Sequence, residues 1–194
     1  MKILIIGARK DGHARVVADA IIADGKHSIA GFVDDDASLK GQKILGHEVL
    51  GTTADISKLK GKFDAVIVAV GDNHARKKLG KRLKREGITL TKVTHPTAII
   101  ARDVELQPGV FVAAGAVINS GTMIMEGAII NTGATIDHDN SIGEYVHVAP
   151  GVHTAGRVKI GECAFLGIGS KVIPDVEIGR NAVVGAGAVV LENV

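Results

Sequence analysis

Histidine and aspartate side chains in the second half of the chain are suited to acid–base chemistry. An imidazole, with an unperturbed pKa of about 6.5, can take a proton from an attacking amine or hydroxyl near neutral pH. His138 stands between Asp137 and Asp139, and His147 and His153 follow it. A carboxylate that accepts from the ring would fix its tautomer and stabilise the imidazolium. This Asp-His-Asp triplet is the best catalytic candidate, although a merely solvated histidine at a turn would have the same neighbours.

A repeat of six residues organises the segment that holds these histidines. Stepping by six from Ile100 to Val190 meets an aliphatic residue at fifteen of sixteen positions, and the exception is Thr154. A period of six fits neither an α-helix nor a flat strand, but it fits a triangular coil of eighteen residues whose aliphatic side chains point inward. Coils stacked about 4.8 Å apart would bury one continuous core. The pattern is typical of an all-β, left-handed parallel β-helix of hexapeptide repeats.

The geometry of such a prism bears on metal binding and on assembly. Glycines share one phase of the repeat, where the chain must turn at positive φ. Three histidines could bind a metal, as in γ-class carbonic anhydrases, but His138, His147 and His153 fall on different faces of a coil, and we expect no metal site. Flat faces offer little concavity, so a ligand groove is most easily built between neighbouring prisms, and a homotrimer is expected.

The first half of the chain has a different organisation. Near-continuous apolar runs at 2–7, 28–34 and 64–71 predict buried parallel strands. Segments 13–24 and 76–86 predict helices between and after them, which together indicate a Rossmann-like α/β unit. The turn after the first strand lacks the G-x-G-x-x-G pattern that binds dinucleotides, so the sequence does not support a dehydrogenase.

Composition limits the partners. The chain has 23 Lys and Arg against 21 Asp and Glu, a formal charge of +2, which favours neither a nucleic-acid nor a membrane partner. The basic segment 76–85 lacks interleaved aromatic residues and is interpreted as a solvated helix face. The single cysteine, Cys163, excludes an intramolecular disulfide, and the first apolar run is too short for a signal peptide or a membrane span. A cytoplasmic location is expected.

One phrase of the repeat carries a resemblance to a known family. From Asn131 to Gly151 the chain reads N-x-x-x-x-x-D-H-D-x-x-x-G-x-x-x-H-x-A-P-G. This closely resembles the sialic acid O-acetyltransferase (NeuD/PglD-like) family of hexapeptide-repeat sugar acetyltransferases, which includes N-acetyltransferases of UDP-4-amino-sugar and GDP-perosamine pathways. The resemblance covers both halves in the same order. It implies a nucleotide-sugar-binding domain at 1–95 and an acetyltransferase domain at 96–194.

The resemblance also implies roles for residues of the repeat. His138 would be the general base and Asp139 would orient it, while His147 would hydrogen-bond near the thioester carbonyl of acetyl-CoA. The acetyl group would pass directly to the acceptor without an acyl-enzyme, so Cys163 is an ordinary apolar residue. The pantetheine arm would pass Gly156, Gly167, Ile168, Gly185 and Ala186.

The acceptor is expected on the first domain. Backbone N–H groups of a glycine-rich turn at a helix N-terminus attract phosphate, and here the turn runs over 7–13. Asp34 and Asp35 follow the second strand, where an acidic group can accept from a ribose hydroxyl or a base. The further residues of this predicted crevice are Gly12, His13, Gly51 and Gly71, although simple turn chemistry would also explain the glycines and aspartates. N-acetylation of a nucleotide-linked amino sugar is favoured; O-acetylation of a sugar and a non-catalytic, trimeric nucleotide-sugar-binding scaffold are the alternatives.

Overall fold

A computed structural model describes residues 1–9 and 12–194. The chain forms two compact units, Met1–Val93 and Thr94–Val194. Lys10 and Asp11, in the predicted glycine-rich turn, lie outside the described residues. No helix among the described residues is long and apolar enough to cross a membrane.

The first unit is a mostly parallel sheet with two α-helices. The sheet order is β3-β4-β2-β1-β5, and the pairing of β3 with β4 is antiparallel whereas the others are parallel. β1 and β5 are almost wholly buried, as their continuous apolar sequences predict. The elements are β1 (Lys2–Ile6), α1 (His13–Asp24), β2 (Ser28–Val33), a 3₁₀ helix (Ala37–Leu39), β3 (Lys43–Ile44), β4 (His47–Gly51), a second 3₁₀ helix (Thr53–Leu59), β5 (Ala65–Val68) and α2 (Asn73–Arg85).

The second unit is a three-sided parallel β-helix. Each strand pairs in parallel with the strand eighteen residues further on; for example, Ile118 pairs with Ile136 and Ile130 with Val148. The strands form three sheets, called here faces A, B and C. Face A comprises Val93–Thr94, Phe111–Val112, Ile129–Ile130, His147–Val148, Phe165–Leu166 and Val183–Val184; face B comprises Ile99–Ile100, Val117–Ile118, Thr135–Ile136, His153–Thr154, Lys171–Val172 and Val189–Val190; face C comprises Glu105–Leu106, Met123–Ile124, Ser141–Ile142, Lys159–Ile160 and Glu177–Ile178.

The inward positions of the period of six form the core of this unit. The second residue of each strand from Phe111–Val112 onward is buried, and Thr154 is buried among the aliphatic residues. Aliphatic side chains recur directly above and below one another, because successive coils are in register at eighteen residues. The predicted spacing therefore corresponds to the observed stacking.

The corners of the triangle differ in the residues that turn the chain. The corner after face A has glycine at positive φ in coil after coil, as at Gly115 and Gly133. The corner after face B instead has Gly121, Asp139, Arg157 and Asp175, and the corner after face C includes Tyr145 and Cys163. The left-handed conformation costs an L-residue about 1–2 kcal/mol, so the non-glycine residues at these corners have a higher conformational energy than glycine would have there.

Candidate active site

His138 and Asp139 occupy the corner after face B and contact each other. The left-handed backbone of Asp139, with φ 57°, turns its carboxylate back toward the preceding residue. Its Oδ2 lies 2.7 Å from Nδ1 of His138, whose side chain is 47% exposed. Because a carboxylate only accepts hydrogen bonds, a neutral imidazole in this position has its hydrogen on Nδ1 and a lone pair on Nε2. The arrangement can take a proton at Nε2 and stabilise the resulting imidazolium.

Glycines one coil below and one coil above make room for this pair. A β-carbon placed on Gly121 would collide with the carboxylate of Asp139. A β-carbon placed on Gly156 would lie 2.5 Å from Nε2 and 2.6 Å from Cε1 of His138. The structure therefore places Gly156 against the imidazole. The contact of Gly156 with pantetheine stays a prediction, whereas its closeness to the His138 imidazole is observed.

The other carboxylate of the triplet holds the backbone and not the ring. Oδ1 of Asp137 accepts from the backbone N–H of His138 at 2.8 Å and from Nδ2 of Asn119 at 3.0 Å. These hydrogen bonds, chiefly the one from the backbone, lower the pKa of Asp137 below its ordinary value. Of the two aspartates that flank His138, Asp139 is the one that can assist proton transfer.

Two further charged residues stand above this pair in the same corner column. Arg157 donates to Asp175 through Nε at 2.7 Å and Nη2 at 2.8 Å, a bidentate ion pair. This hydrogen bonding raises the pKa of Arg157 and lowers that of Asp175, and the charges of Asp139 and His138 act in the same directions. Reasoning from local sequence missed both residues, although their spacing of eighteen and thirty-six from Asp139 was a usable signal.

His147 and His153 lie on two other parts of the coil. His147 is on face A, where its Nε2 lies 3.1 Å from Nδ2 of Asn131 and its ring meets Phe165 edge to face, with centroids 5.3 Å apart. His153 is on face B, and its Nδ1 lies 2.7 Å from Oγ1 of Thr135. Among the described residues no group of three or more His, Cys, Asp or Glu side chains is arranged to hold a metal ion.

Four of the residues predicted along the pantetheine arm fall at one corner. Gly167 and Ile168 follow face A in one coil, and Gly185 and Ala186 occupy the same places in the next. A β-carbon on Gly167 would lie 2.6 Å from the backbone nitrogen of Ala186, so close stacking requires glycine there. Ile168 is 58% exposed and offers an apolar contact at this corner.

A cavity of about 450 Å³ lies in the first unit, at the ends of β1 and β5. Five of the predicted acceptor residues line it: Gly12, His13, Asp34, Asp35 and Gly71. Gly51 is not among the described residues that line the cavity. Its carbonyl accepts from the N–H of Asp34, and a β-carbon there would lie 2.9 Å from Oδ2 of Asp55, which gives this glycine a structural role.

Two aspartates that line the cavity, Asp34 and Asp35, are held by hydrogen bonds. Oδ2 of Asp34 accepts from the N–H of Ala8 at 2.7 Å, which ties the end of β2 to the turn after β1. Oδ1 of Asp35 accepts from the hydroxyl of Thr53 at 2.5 Å, and Nη1 of Arg82 lies 3.2 Å from that hydroxyl. Sequence reasoning did not single out Thr53 or Arg82.

The basic segment 76–85 is not a uniformly solvated face. Arg76 is only 1% exposed, and its Nη1 donates to the carbonyls of Val70 and Gly71 at 2.9 Å and 3.0 Å. Nη2 donates to Oδ1 of Asn73. The interpretation as a solvated face was therefore wrong for this residue, because the loop before α2 offers carbonyls that a buried guanidinium satisfies.

Comparisons with known proteins agree with this architecture. Residues 2–83 match the PglD N-terminal domain family, and residues 157–192 match the bacterial transferase hexapeptide family of six repeats. Over its full length the chain is similar to PerB from Caulobacter crescentus, solved in complex with CoA and GDP-perosamine, with 40% identity, a TM-score of 0.93 and 90% of that chain covered. The chain belongs to the PglD-like family of hexapeptide-repeat sugar acetyltransferases.

Two further relatives are similar to most or all of the chain. The acetyltransferase domain of PglB from Neisseria gonorrhoeae FA1090, solved in complex with acetyl coenzyme A, is 33% identical, with a TM-score of 0.93 and 92% of that chain covered. A GDP-perosamine N-acetyltransferase of Escherichia coli O157:H7 is 30% identical over 143 residues, which span 73% of this chain and 62% of that relative. The family resemblance and the fold class, a Rossmann-like α/β unit followed by a left-handed parallel β-helix, are confirmed.

Proposed function

We propose that this protein is an acetyl-CoA-dependent N-acetyltransferase whose acceptor is a nucleotide-linked amino sugar. The observation that carries the proposal is the exposed His138 imidazole, oriented by Asp139 through Nδ1 so that Nε2 can accept a proton. The support from relatives is chemical: one was solved with CoA and GDP-perosamine and another with acetyl coenzyme A.

In the proposed reaction the acceptor amine attacks the thioester carbonyl directly. The N–C bond forms as Nε2 of His138 removes a proton from the amine, and the C–S bond of acetyl-CoA breaks to release CoA thiolate. The imidazolium then gives its proton to the thiolate, which restores the neutral base. We assign His147 to the thioester carbonyl, and Gly167, Ile168, Gly185 and Ala186 to the pantetheine arm. No residue is acylated.

The cavity of the first unit is proposed to bind the nucleotide. Gly12 stands immediately before α1, and the start of a helix attracts phosphate oxygens. Asp34, Asp35, His13 and Gly71 line the same space, and carboxylates there can accept from ribose or base donors. The volume of about 450 Å³ lies within the range of small-molecule sites.

The proposed assembly is a homotrimer in the cytoplasm. A second copy would supply the opposite wall of the groove for acetyl-CoA, because a flat-sided prism has little concavity of its own. Light scattering should give a mass three times that of the chain. A monomeric mass at working concentration would contradict this part of the proposal.

The test is release of free CoA thiol from acetyl-CoA with UDP-, GDP- and dTDP-linked 4-amino sugars as acceptors. His138→Ala should lower kcat by about 10²- to 10⁴-fold, the contribution of a positioned general base, with an unchanged circular dichroism spectrum. His153→Ala is the matched control, since His153 is an exposed histidine of the same prism on face B and should leave kcat within about twofold. Unchanged turnover in His138→Ala would remove the proposed base.

A further inference from the structure

The interior of the prism carries polar side chains directly behind the His138 corner. Counting by eighteen, the inward position after this corner is Val104, Thr122, Asn140, Val158 and Val176. Thr122 is 1% exposed and Asn140 is 2% exposed, so both are as deeply buried as the valines of the same column. Burial of an amide or a hydroxyl is unfavourable unless the group forms hydrogen bonds, so the partners of these two side chains indicate their role.

The Asn140 side chain binds the backbone that presents His138. Its NH₂ group donates to the carbonyls of Asp137 at 2.9 Å and His138 at 3.1 Å, and to that of Ala155 in the next coil at 2.8 Å. Three acceptors surround two hydrogens, so the amide cannot rotate without losing bonds. The carbonyls of the peptide units before and after the His138 side chain are therefore both bound to one rigid amide.

Thr122 completes this support from the coil below. Its hydroxyl donates to the carbonyl of Asp137 at 3.0 Å and accepts from the backbone N–H of Asn140 at 3.2 Å. The carbonyl of Asp137 thus has both polar side chains as donors. Support of this kind limits the movement of the peptide units that precede and follow His138.

The left-handed corner itself does not require this pair. Arg157 and Asp175 have φ of 60° and 64°, and valine follows each of them in the inward position. Meanwhile Oδ1 of Asn140 is buried and has no hydrogen-bond partner among the described residues, an unfavourable state that valine would avoid. The Asn140 coil differs from the next two in having an imidazole beside the carboxylate at its corner.

We propose that Asn140, supported by Thr122, is a positioning residue that fixes the His138 backbone so that Nδ1 stays aligned with the carboxylate of Asp139. The inference rests on the proposed function, in which His138 is the base. It adds a buried network behind the prism wall to the groups that touch substrate. Asn140 thus aligns the base although its unsatisfied Oδ1 is unfavourable for the stability of the fold.

The decisive variant is Asn140→Val, which makes this position like Val158 and Val176. We expect kcat to fall by about 10- to 100-fold, because a small displacement of a catalytic group has effects of that size, while KM for acetyl-CoA stays within about twofold. The melting temperature should change little, since the removal of the unsatisfied Oδ1 offsets the loss of the donor to three carbonyls. Thr122→Val should show a smaller loss of kcat, and Thr122→Ser, which keeps the hydroxyl, should restore it.

Ser170→Ala is the matched control. Ser170 is a buried polar residue of the same prism behind a different corner, and its hydroxyl has no hydrogen-bond partner in the part of the chain that the structure describes, so its removal should leave kcat unchanged. A general loss of activity on removing any buried polar group would appear in this variant too. A fall in kcat for Ser170→Ala equal to that for Asn140→Val would overturn the proposal.

A spectroscopic reading separates this inference from the proposed function. ¹⁵N chemical shifts of histidine-labelled protein report which ring nitrogen of His138 carries the hydrogen, and no acceptor is needed. Wild type should show hydrogen on Nδ1, and Asn140→Val should show a mixture of tautomers. Unchanged shifts together with wild-type kcat would refute the positioning role, even with His138→Ala inactive. An inactive wild type with altered shifts in Asn140→Val would refute the proposed function alone.

Discussion

The imidazole of His138 lies against the α-carbon of Gly156, eighteen residues further along the chain. A β-carbon at Gly156 would lie 2.5 Å from Nε2, the nitrogen to which proton acceptance is assigned. The space that the proposed base occupies is thus available because the neighbouring coil has a glycine at this position. Substitutions in that coil should therefore lower activity even when His138 and Asp139 are unchanged.

Gly156→Ala should therefore reduce activity more than stability. The new methyl group meets a side chain that is 47% exposed and can move aside, so the fold should persist while the base is displaced. We expect kcat to fall by about 100-fold, as for other small displacements of a catalytic group. The comparison is Gly161→Ala, whose β-carbon would lie 2.6 Å from the backbone nitrogen of Arg180 and cannot be accommodated without moving the coil. Gly161→Ala should therefore lower the melting temperature more than Gly156→Ala does. A larger loss of melting temperature in Gly156→Ala would contradict the role given to Gly156.

Asp139→Asn tests the carboxylate while keeping the corner. Asparagine adopts the left-handed conformation more readily than most residues, so φ near 57° should be retained. The neutral amide stabilises an imidazolium less well, and kcat/KM should fall by about 10- to 100-fold, the loss of a charge-assisted hydrogen bond. Asp137→Asn is the control because Asp137 contacts backbone and Asn119 but not the ring. Equal losses in the two variants would argue for a bulk charge effect.

Asp34→Ala tests the cavity of the first unit. Removal of the carboxylate frees the N–H of Ala8 and loosens the turn after β1. The KM for the nucleotide-linked acceptor should rise about tenfold, the value of one or two hydrogen bonds, with KM for acetyl-CoA unchanged. Asp36→Ala, which instead removes the acceptor for Ser38 in the first 3₁₀ helix, should change neither constant. Titration calorimetry with the nucleoside diphosphate gives a reading independent of turnover.

The period of six predicted the prism because burial selects one side-chain class at one position in every six residues. The period could not assign roles to Thr122 and Asn140, which interrupt a column of valines and whose carbonyl partners are seen only in the fold. Gly156 was assigned to pantetheine from its place in the family pattern, whereas its contact with His138 depends on how coils stack. Asp34 and Asp35 were found from the strand ends, but Thr53 and Arg82 join them through folding of segments far apart in sequence.

Asp55 should make the first unit sensitive to acid. Hydrogen bonding to Lys58, then to the backbone and hydroxyl of Thr52, lowers the pKa of Asp55 to about 2 from an ordinary 3.8. A carboxyl with a lowered folded-state pKa stabilises the fold above its ordinary pKa, and this contribution is lost as pH falls toward the folded value. Asp55→Asn should lower the melting temperature at pH 7, and the difference from wild type should shrink below about pH 4 and be lost as the pH falls through about 2. A difference independent of pH would show that the charge of Asp55 is not its source.

Registration at eighteen residues changes which mutations interact. A side chain on the prism has vertical neighbours at n−18 and n+18 besides its neighbours in sequence, as the closeness of Gly121 to Asp139 and the ion pair of Arg157 with Asp175 illustrate. Epistasis in a pairwise mutational scan of this unit should therefore appear as diagonal bands displaced by eighteen and its multiples, and excision of one whole coil should be tolerated better than excision of six residues.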